Sequence, residues 1–271
     1  MGAAPRVARL KKERLLRPIH PNLGIQIEYQ RRLSSLIKEM SESTVYWLRA
    51  SYRANQPIAL DETPADALKR SIRQLSKRWQ KKFDEAGPKL AAWFAKASDK
   101  RSADALRKIL KDAGLTVAFK MTPAMRDVFN ATLNQNVALI KSIPAQYFVE
   151  IEGMVMRSVQ TGRDLGMLTK ELQDRYGVTY RRAALIARTQ NNLATSSMVR
   201  ARQIEVGFEE AIWTHSGGGH EPRPTHLKAG REKTRYKIAE GWFDPDVGEH
   251  ILPGQLINCR CVGRPVIKGF S

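Results

Sequence analysis

The segment after Thr63 carries an apolar pattern that constrains it to a helix. Thr63 suits the N-cap position, Pro64 suits the first helical position, and Asp66 places negative charge in the first turn. Five large apolar residues then recur at intervals of four, three, four and four, which puts them on one face: Leu68, Ile72, Leu75, Trp79 and Phe83. Gly87-Pro88 is predicted to end this helix.

Comparable patterns predict that most of the first two hundred residues are helical. The helix before Pro57 takes its apolar positions from Leu33, Ile37, Met40, Trp47 and Leu48. Glycines and prolines are predicted to separate the helices. The predicted helical ranges are 25–55, 63–87, 89–97, 102–113, 122–143, 144–161, 164–176 and 179–206, the last capped by Thr179 and ended by Gly207.

The sequence changes character after Gly207, where short strand patterns alternate with turns. Strands are predicted over 208–214, 234–238 and 259–266, with a turn or short helix over 226–229. The predicted fold class is therefore α+β, with a mainly helical N-terminal two-thirds and a small α+β C-terminal module. Four segments are expected: a basic arm 1–23, a basic helical region 24–115, a second helical region 116–206, and the module 207–271.

Positive charge is concentrated near the N-terminus. The net charge is +19, and most of the excess lies in the first 110 residues. Such a field implies a polyanionic partner, either double-stranded DNA or an acidic protein surface. No acidic residue interrupts the strongest cluster, although a solvated helix face would look similar: Lys69, Arg70, Arg73, Lys77, Arg78, Lys81 and Lys82.

Membrane insertion is not expected, because no apolar run approaches the roughly 18 residues that a spanning helix needs. The only cysteines, Cys259 and Cys261, are two residues apart. If that segment is an extended strand, their α-carbons lie near the upper limit for a disulfide, so reduced thiols are expected.

Potential metal ligands are crowded into the C-terminal module. His215, His220, His226 and His250 accompany the two cysteines there, and zinc accepts imidazole and thiolate ligands. The spacing is not the helical His-Glu-x-x-His of zinc proteases, and two cysteines at i and i+2 share one zinc only if the strand bends. We expect no cofactor, with the cysteines as small buried apolar groups near His226. The alternative is zinc bound by His226, Cys259 and Cys261.

Catalysis is not expected from the sequence. A nucleophilic cysteine needs a nearby histidine, and nothing in the sequence alone places them together. The glycines at 217–219 are not followed by the Gly-Lys-Ser/Thr of a phosphate loop. We therefore predict no catalytic residue and no small-molecule substrate.

The order and spacing of the C-terminal motifs resemble the head-morphogenesis family of tailed bacteriophages, the minor head proteins similar to phage Mu protein F. The resemblance covers roughly residues 120–270 and is best from 185 onward. The matching positions, interpreted as structural, are Arg188, Gln190, Trp213, Arg223, His226, Gly230, Pro253, Gly254, Cys259, Arg260 and Cys261.

The resemblance implies a minor capsid protein that associates with portal and major capsid proteins during head assembly. Such a protein belongs in the virion, inside the capsid or at the portal vertex, and contacts packaged DNA. Two other functions stay open. One is a zinc-dependent nuclease or toxin-like enzyme built on the His/Cys module, and the other is a free, non-specific DNA-binding protein.

Aromatic residues of the module are candidates for partner contacts. Trp213 ends an apolar strand and is expected in the core. Trp242 and Phe243 lie between Gly241 and Pro245, so we expect them in a loop that contacts a partner.

Overall fold

The computed structural model describes residues 13–54, 63–161, 165–218 and 221–268. Most of the predicted basic arm and His220 lie outside these residues. Four long helices come first: α1 (Leu23–Ala54), α2 (Pro64–Asp112), α3 (Pro123–Gln160) and α4 (Leu165–Glu205). The short helix α5 (Pro224–Arg231) lies among the strands β1 (Glu13–Leu15), β2 (Glu210–Thr214), β3 (Arg235–Lys237), β4 (Trp242–Asp244), β5 (Glu249–Ile251) and β6 (Val262–Lys268). The α+β fold class is confirmed.

The predicted stripe of α2 is buried as expected. Leu68, Ile72, Leu75, Trp79 and Phe83 are each at most 5% exposed. Thr63 also caps the helix, because its hydroxyl accepts a hydrogen bond of 3.2 Å from the Asp66 amide.

Several predicted helix ends are wrong, because the helices continue through their glycines and prolines. Pro88 lies inside α2, Pro144 inside α3, and Gly177 inside α4. A proline in a helix costs about 3 kcal/mol, but buried side chains precede and follow each break, and their packing outweighs it. Thr179 does not cap a new helix; its hydroxyl donates to the Arg175 carbonyl within α4.

Two compact units make up the chain, and each combines separate stretches of sequence. The helical unit takes residues 22–98 and 129–191, and the mixed unit takes 1–21, 99–128 and 192–271. This division into units does not test the four contiguous segments predicted from the sequence, which stay a prediction. None of the described helices combines the length and apolar character required to cross a bilayer.

In the mixed unit, an antiparallel sheet has the strand order β1-β6-β2-β3, and β4 and β5 form a separate hairpin. The end of the predicted arm thus supplies a strand, with Leu15 opposite Val266 on β6. Trp213 is fully buried at the centre of one cluster, with Ala229, Ile251, Cys259 and Cys261. Leu16 and Ile267 pack with the end of α2 in a second.

Buried polar pairing holds the ends of α2 and α4 in this unit. Arg202 is 4% exposed; its guanidinium forms an ion pair with Asp99 and donates to the Ser102 hydroxyl at 2.8 Å. A buried guanidinium needs such partners, because its desolvation is otherwise uncompensated.

Candidate functional site: a buried histidine–cysteine cluster

Helix α5 places His226 in the interior of the mixed unit. Arg223 is extended just before the helix, and Pro224 occupies its first turn, where the missing amide proton is not needed. His226 is 2% exposed, and its ring packs edge-on against Trp213 at 5.1 Å and Trp242 at 6.0 Å between centroids. The two indoles hold the imidazole in one orientation.

Asp244, at the end of β4, fixes which imidazole nitrogen faces the cysteines. Its side chain is fully buried, and one carboxyl oxygen lies 3.1 Å from His226 Nε2. The other accepts a hydrogen bond from the Asp246 amide at 3.1 Å. A proton on Nε2 satisfies the carboxylate, which leaves a lone pair on Nδ1.

The cysteines lie before the last strand, which corrects the predicted strand over 259–266. Strand β6 begins only at Val262, and Asn258 has a left-handed backbone with φ of 61°. His226 Nδ1 lies 3.5 Å from Cys259 Sγ and 3.6 Å from Cys261 Sγ, so the expected proximity is confirmed.

Neighbouring polar groups hold the cysteine turn in place. The Gly254 amide donates to Cys259 Sγ at 3.4 Å, and the side-chain amide of Asn192 donates to the Cys259 carbonyl at 2.7 Å. Gly254 has φ of 82°, a conformation that favours glycine. The Pro253-Gly254 motif therefore shapes the turn that presents Cys259.

The pKa values of the two thiols are shifted in opposite directions. Hydrogen bonds with Cys261 and, to a smaller extent, with His226 lower the pKa of Cys259 to about 4. The neighbouring Cys259 in turn raises the pKa of Cys261. Burial disfavours protonation of His226, but contacts with Cys259 and Asp244 outweigh burial and raise its pKa. Negative charge on sulphur is therefore favoured beside this imidazole.

Other motif residues support the cluster from outside. The Arg223 guanidinium donates to the Ile257 carbonyl at 3.2 Å, linking α5 to the cysteine turn. Gly230 is required by packing, because a β-carbon there would lie 2.6 Å from the His215 β-carbon. Arg260 is exposed between the two buried cysteines.

Arg188 and Gln190 belong to the helical unit and not to the cluster. Gln190 is 5% exposed and accepts a hydrogen bond of 3.1 Å from Asn136, whose carbonyl oxygen accepts from the Tyr29 hydroxyl at 2.8 Å. This network explains a buried glutamine in α4. Arg188 is half-buried.

Sequence reasoning missed Asp244, whose only signal was an acid between aromatic Phe243 and Pro245. The predicted loop at Trp242 and Phe243 is wrong, and their contact with a partner stays a prediction. Trp242 and Phe243 lie in β4, and Trp242 packs against Trp213 with ring centroids 4.9 Å apart. Phe243 is 49% exposed, whereas Trp242 is half-buried.

The predicted cationic cluster forms an exposed surface on α2, here called the basic ridge (residues 69–82). Six of its seven cations are exposed, and Lys69 is half-buried. Lys82 is partly neutralised by Glu39 at 2.6 Å. Within the described part of the chain, no ion pair reaches four others: Arg73, Lys77, Arg78 and Lys81.

Comparison with known proteins finds similarity over much of the chain. A family model described as "Phage Mu protein F like protein" matches residues 149–264. This range includes all residues of the His/Cys cluster, which consists of His226, Asp244, Cys259 and Cys261. An uncharacterized protein of Haemophilus influenzae is 24% identical over 262 residues. The match covers 94% of this chain and 56% of that relative, so the chain spans little more than half its length.

No solved structure matches the chain significantly. The family match agrees with the resemblance predicted from the order of Trp213, His226, Pro253-Gly254 and the Cys-Arg-Cys motif. Residues 149–264 of this chain are therefore similar to the phage Mu protein F like proteins.

Proposed function

We propose that this protein is a minor head protein of a tailed phage, which associates with portal and capsid proteins during head assembly and contacts the packaged DNA. The family match over residues 149–264 carries the proposal, because it relates the chain to phage head proteins. Portal and capsid association, residence in the virion and DNA contact are the finer parts that experiments must test.

The basic ridge supports DNA as its partner. Arg73, Lys77 and Lys81 follow one another at i, i+4 spacing on α2, which separates successive cations by about 6 Å along the axis. Since the ridge contains no acid, these cations repel one another unless a polyanion neutralises them. A phosphate backbone supplies that neutralisation without sequence preference.

Salt dependence of DNA binding tests the ridge. For the full chain, the logarithm of affinity should fall with the logarithm of salt concentration by about 0.9 per phosphate contacted. Changing Arg73, Lys77, Arg78 and Lys81 to Gln should reduce this slope by up to about 3.6. Fluorescence anisotropy with two unrelated duplexes measures both the slope and the lack of sequence preference.

A matched control removes the same charge elsewhere on α2. Lys100, Arg101, Lys108 and Lys111 are also exposed, but acids are interspersed among them. Changing these four to Gln should alter the slope much less. Equal losses in the two variants would show that only net charge matters, and binding that ignores salt would exclude DNA. An acidic protein surface would then be the partner of the ridge.

Head association needs a direct test in virions. Quantitative mass spectrometry of purified particles should find the chain at a few copies per head, together with portal and major capsid proteins. A free DNA-binding protein predicts its absence from washed particles. Cross-linking before disruption should join the chain to portal subunits if the proposed association is correct.

Burial of the His/Cys cluster favours a non-catalytic role over the enzyme alternative. Cys259 and Cys261 are each 4% exposed, so a substrate cannot reach either sulphur without opening the module. The Cys259–His226–Asp244 arrangement otherwise resembles an activated nucleophile. Nucleic-acid hydrolysis by the full chain that His226→Ala abolishes would establish the enzyme instead.

A further inference from the structure

We propose that one zinc ion cross-links the mixed unit and is bound by His226 Nδ1, Cys259 Sγ and Cys261 Sγ. The three atoms come from α5 and from the turn before β6, and all lie within 4.8 Å of one another. This site goes beyond the proposed role in head assembly. It also replaces the expectation that these cysteines serve only as buried apolar groups.

The arrangement around His226 Nδ1 suits a shared cation. With Nε2–H directed at Asp244, Nδ1 offers a single lone pair. Two sulphurs nevertheless lie at nearly equal distances from it, 3.5 and 3.6 Å. A cation between the three atoms would bond to this lone pair and to both sulphurs at once.

The two sulphur–nitrogen distances agree with those between ligands of a tetrahedral zinc ion, of which these residues supply three of the four positions. Zn–S bonds of about 2.3 Å and Zn–N bonds of about 2.0–2.1 Å place sulphur and nitrogen ligands about 3.5–3.6 Å apart. Both observed sulphur–nitrogen separations fall at this value. Residues 259–261 precede strand β6, so the two cysteines are not held in regular strand geometry.

The surroundings of the three atoms are those of a supported metal site. Asp244 hydrogen-bonds the distal imidazole nitrogen, which orients the ring and increases the basicity of Nδ1. The Gly254 amide donates to Cys259 Sγ and so stabilises thiolate character. Zinc binds the thiolate form of cysteine, so metal binding releases any proton that the two thiols still carry.

Charge and ligand type select zinc. Two thiolates and one neutral imidazole carry a total charge of −2, which a divalent ion neutralises inside a buried cluster. Mixed sulphur and nitrogen ligands suit zinc better than magnesium or calcium, which prefer oxygen. Zinc would also join α5, which has eight residues, to the turn before β6.

Metal analysis of the full chain tests the proposal. The protein should be produced in zinc-supplemented medium with a tag that contains no histidine. Elemental analysis should find one zinc per chain, and X-ray absorption should show two sulphur ligands at about 2.3 Å. Protein that contains no zinc, even after refolding with added zinc, would overturn the proposal. So would zinc with no sulphur ligand.

Matched variants locate the ligands. Cys259→Ser, Cys261→Ser and His226→Gln should each lose stoichiometric zinc. His250→Gln is the control, because His250 is an exposed histidine of the same module and is outside the three-atom group; it should retain one zinc. Asp244→Asn should keep the ion but bind it about 10–100-fold more weakly in a chelator competition.

Thiol reactivity gives a readout on the native chain that does not depend on variants. Both cysteines should resist a thiol reagent until a zinc chelator is added, and should then react together with release of one zinc. Rapid reaction of one cysteine without chelator would overturn the zinc site and would indicate an activated nucleophile. Slow reaction that chelator does not change would indicate packing alone.

Discussion

The structures of helix α2 and of the C-terminal module depend on different kinds of interaction. The apolar stripe of α2 can be identified from residues four apart, and every member is buried. The core of the module instead joins Trp213, Ala229, Ile251 and Cys259, which are far apart in sequence and lie on different elements. Local periodicity therefore specifies α2, whereas the module depends on long-range packing that no short pattern reveals.

The basic ridge and the His/Cys cluster show the same contrast in polar residues. The ridge is a run of cations on one helix, exposed and surrounded by solvent. The cluster brings together His226, Asp244 and the cysteines from separate elements and buries them. An exposed set of charges is suited to a large polyanion, and a buried set of mixed ligands is suited to a small ion.

Trp213→Ala should have the largest effect on stability if long-range packing governs the module. Its indole is fully buried and contacts the rings of His226, Tyr236 and Trp242. Loss of such a side chain costs about 3–5 kcal/mol. Chemical denaturation followed by tryptophan fluorescence and circular dichroism measures the change in the free energy of unfolding.

Phe243→Ala is the matched control for this prediction. The two aromatic residues lie in strands of the same unit, but Phe243 is 49% exposed. Its truncation should change stability by no more than about 0.5 kcal/mol, as is usual at the surface. If both variants were equally destabilised, burial in the Trp213 cluster would not be the factor that distinguishes them.

Gly230→Ala should destabilise the protein by about 1–3 kcal/mol through overpacking. The new methyl group would lie 2.6 Å from the His215 β-carbon and 3.0 Å from its backbone nitrogen. Backbone cannot move aside as a flexible side chain can. Thermal unfolding should show the loss, and an unchanged midpoint would mean that α5 and the His215 segment separate easily.

Gly87→Ala makes the same change in a helix with room for it and should have the smallest effect. The nearest atom to the new methyl group is Ile140 Cγ2 at 3.5 Å, which is ordinary contact. Alanine is favoured over glycine in a helix interior, so this variant should gain about 0.5–1 kcal/mol. If Gly87→Ala and Gly230→Ala change the free energy of unfolding in opposite directions, helix propensity and tertiary packing have separate effects. Changes in the same direction would refute this distinction.

Prediction from the sequence was most accurate where interactions are local. The start of α2, its buried stripe and the fold class followed from caps and periodicity. The same local rules misplaced helix ends at Pro88, Pro144 and Gly177, because packing on both sides outweighs one missing hydrogen bond or one flexible residue.

The sequence by itself determined the helical character of the first two-thirds, the charge of the basic ridge and the similarity of residues 149–264 to phage Mu protein F like proteins. Only the tertiary structure decided that Asp244 supports His226 and that the cysteine segment bends at Asn258. The reason is physical. Helix faces and net charge arise between neighbours in sequence, whereas a buried polar cluster exists only after distant elements have packed together and water has been removed.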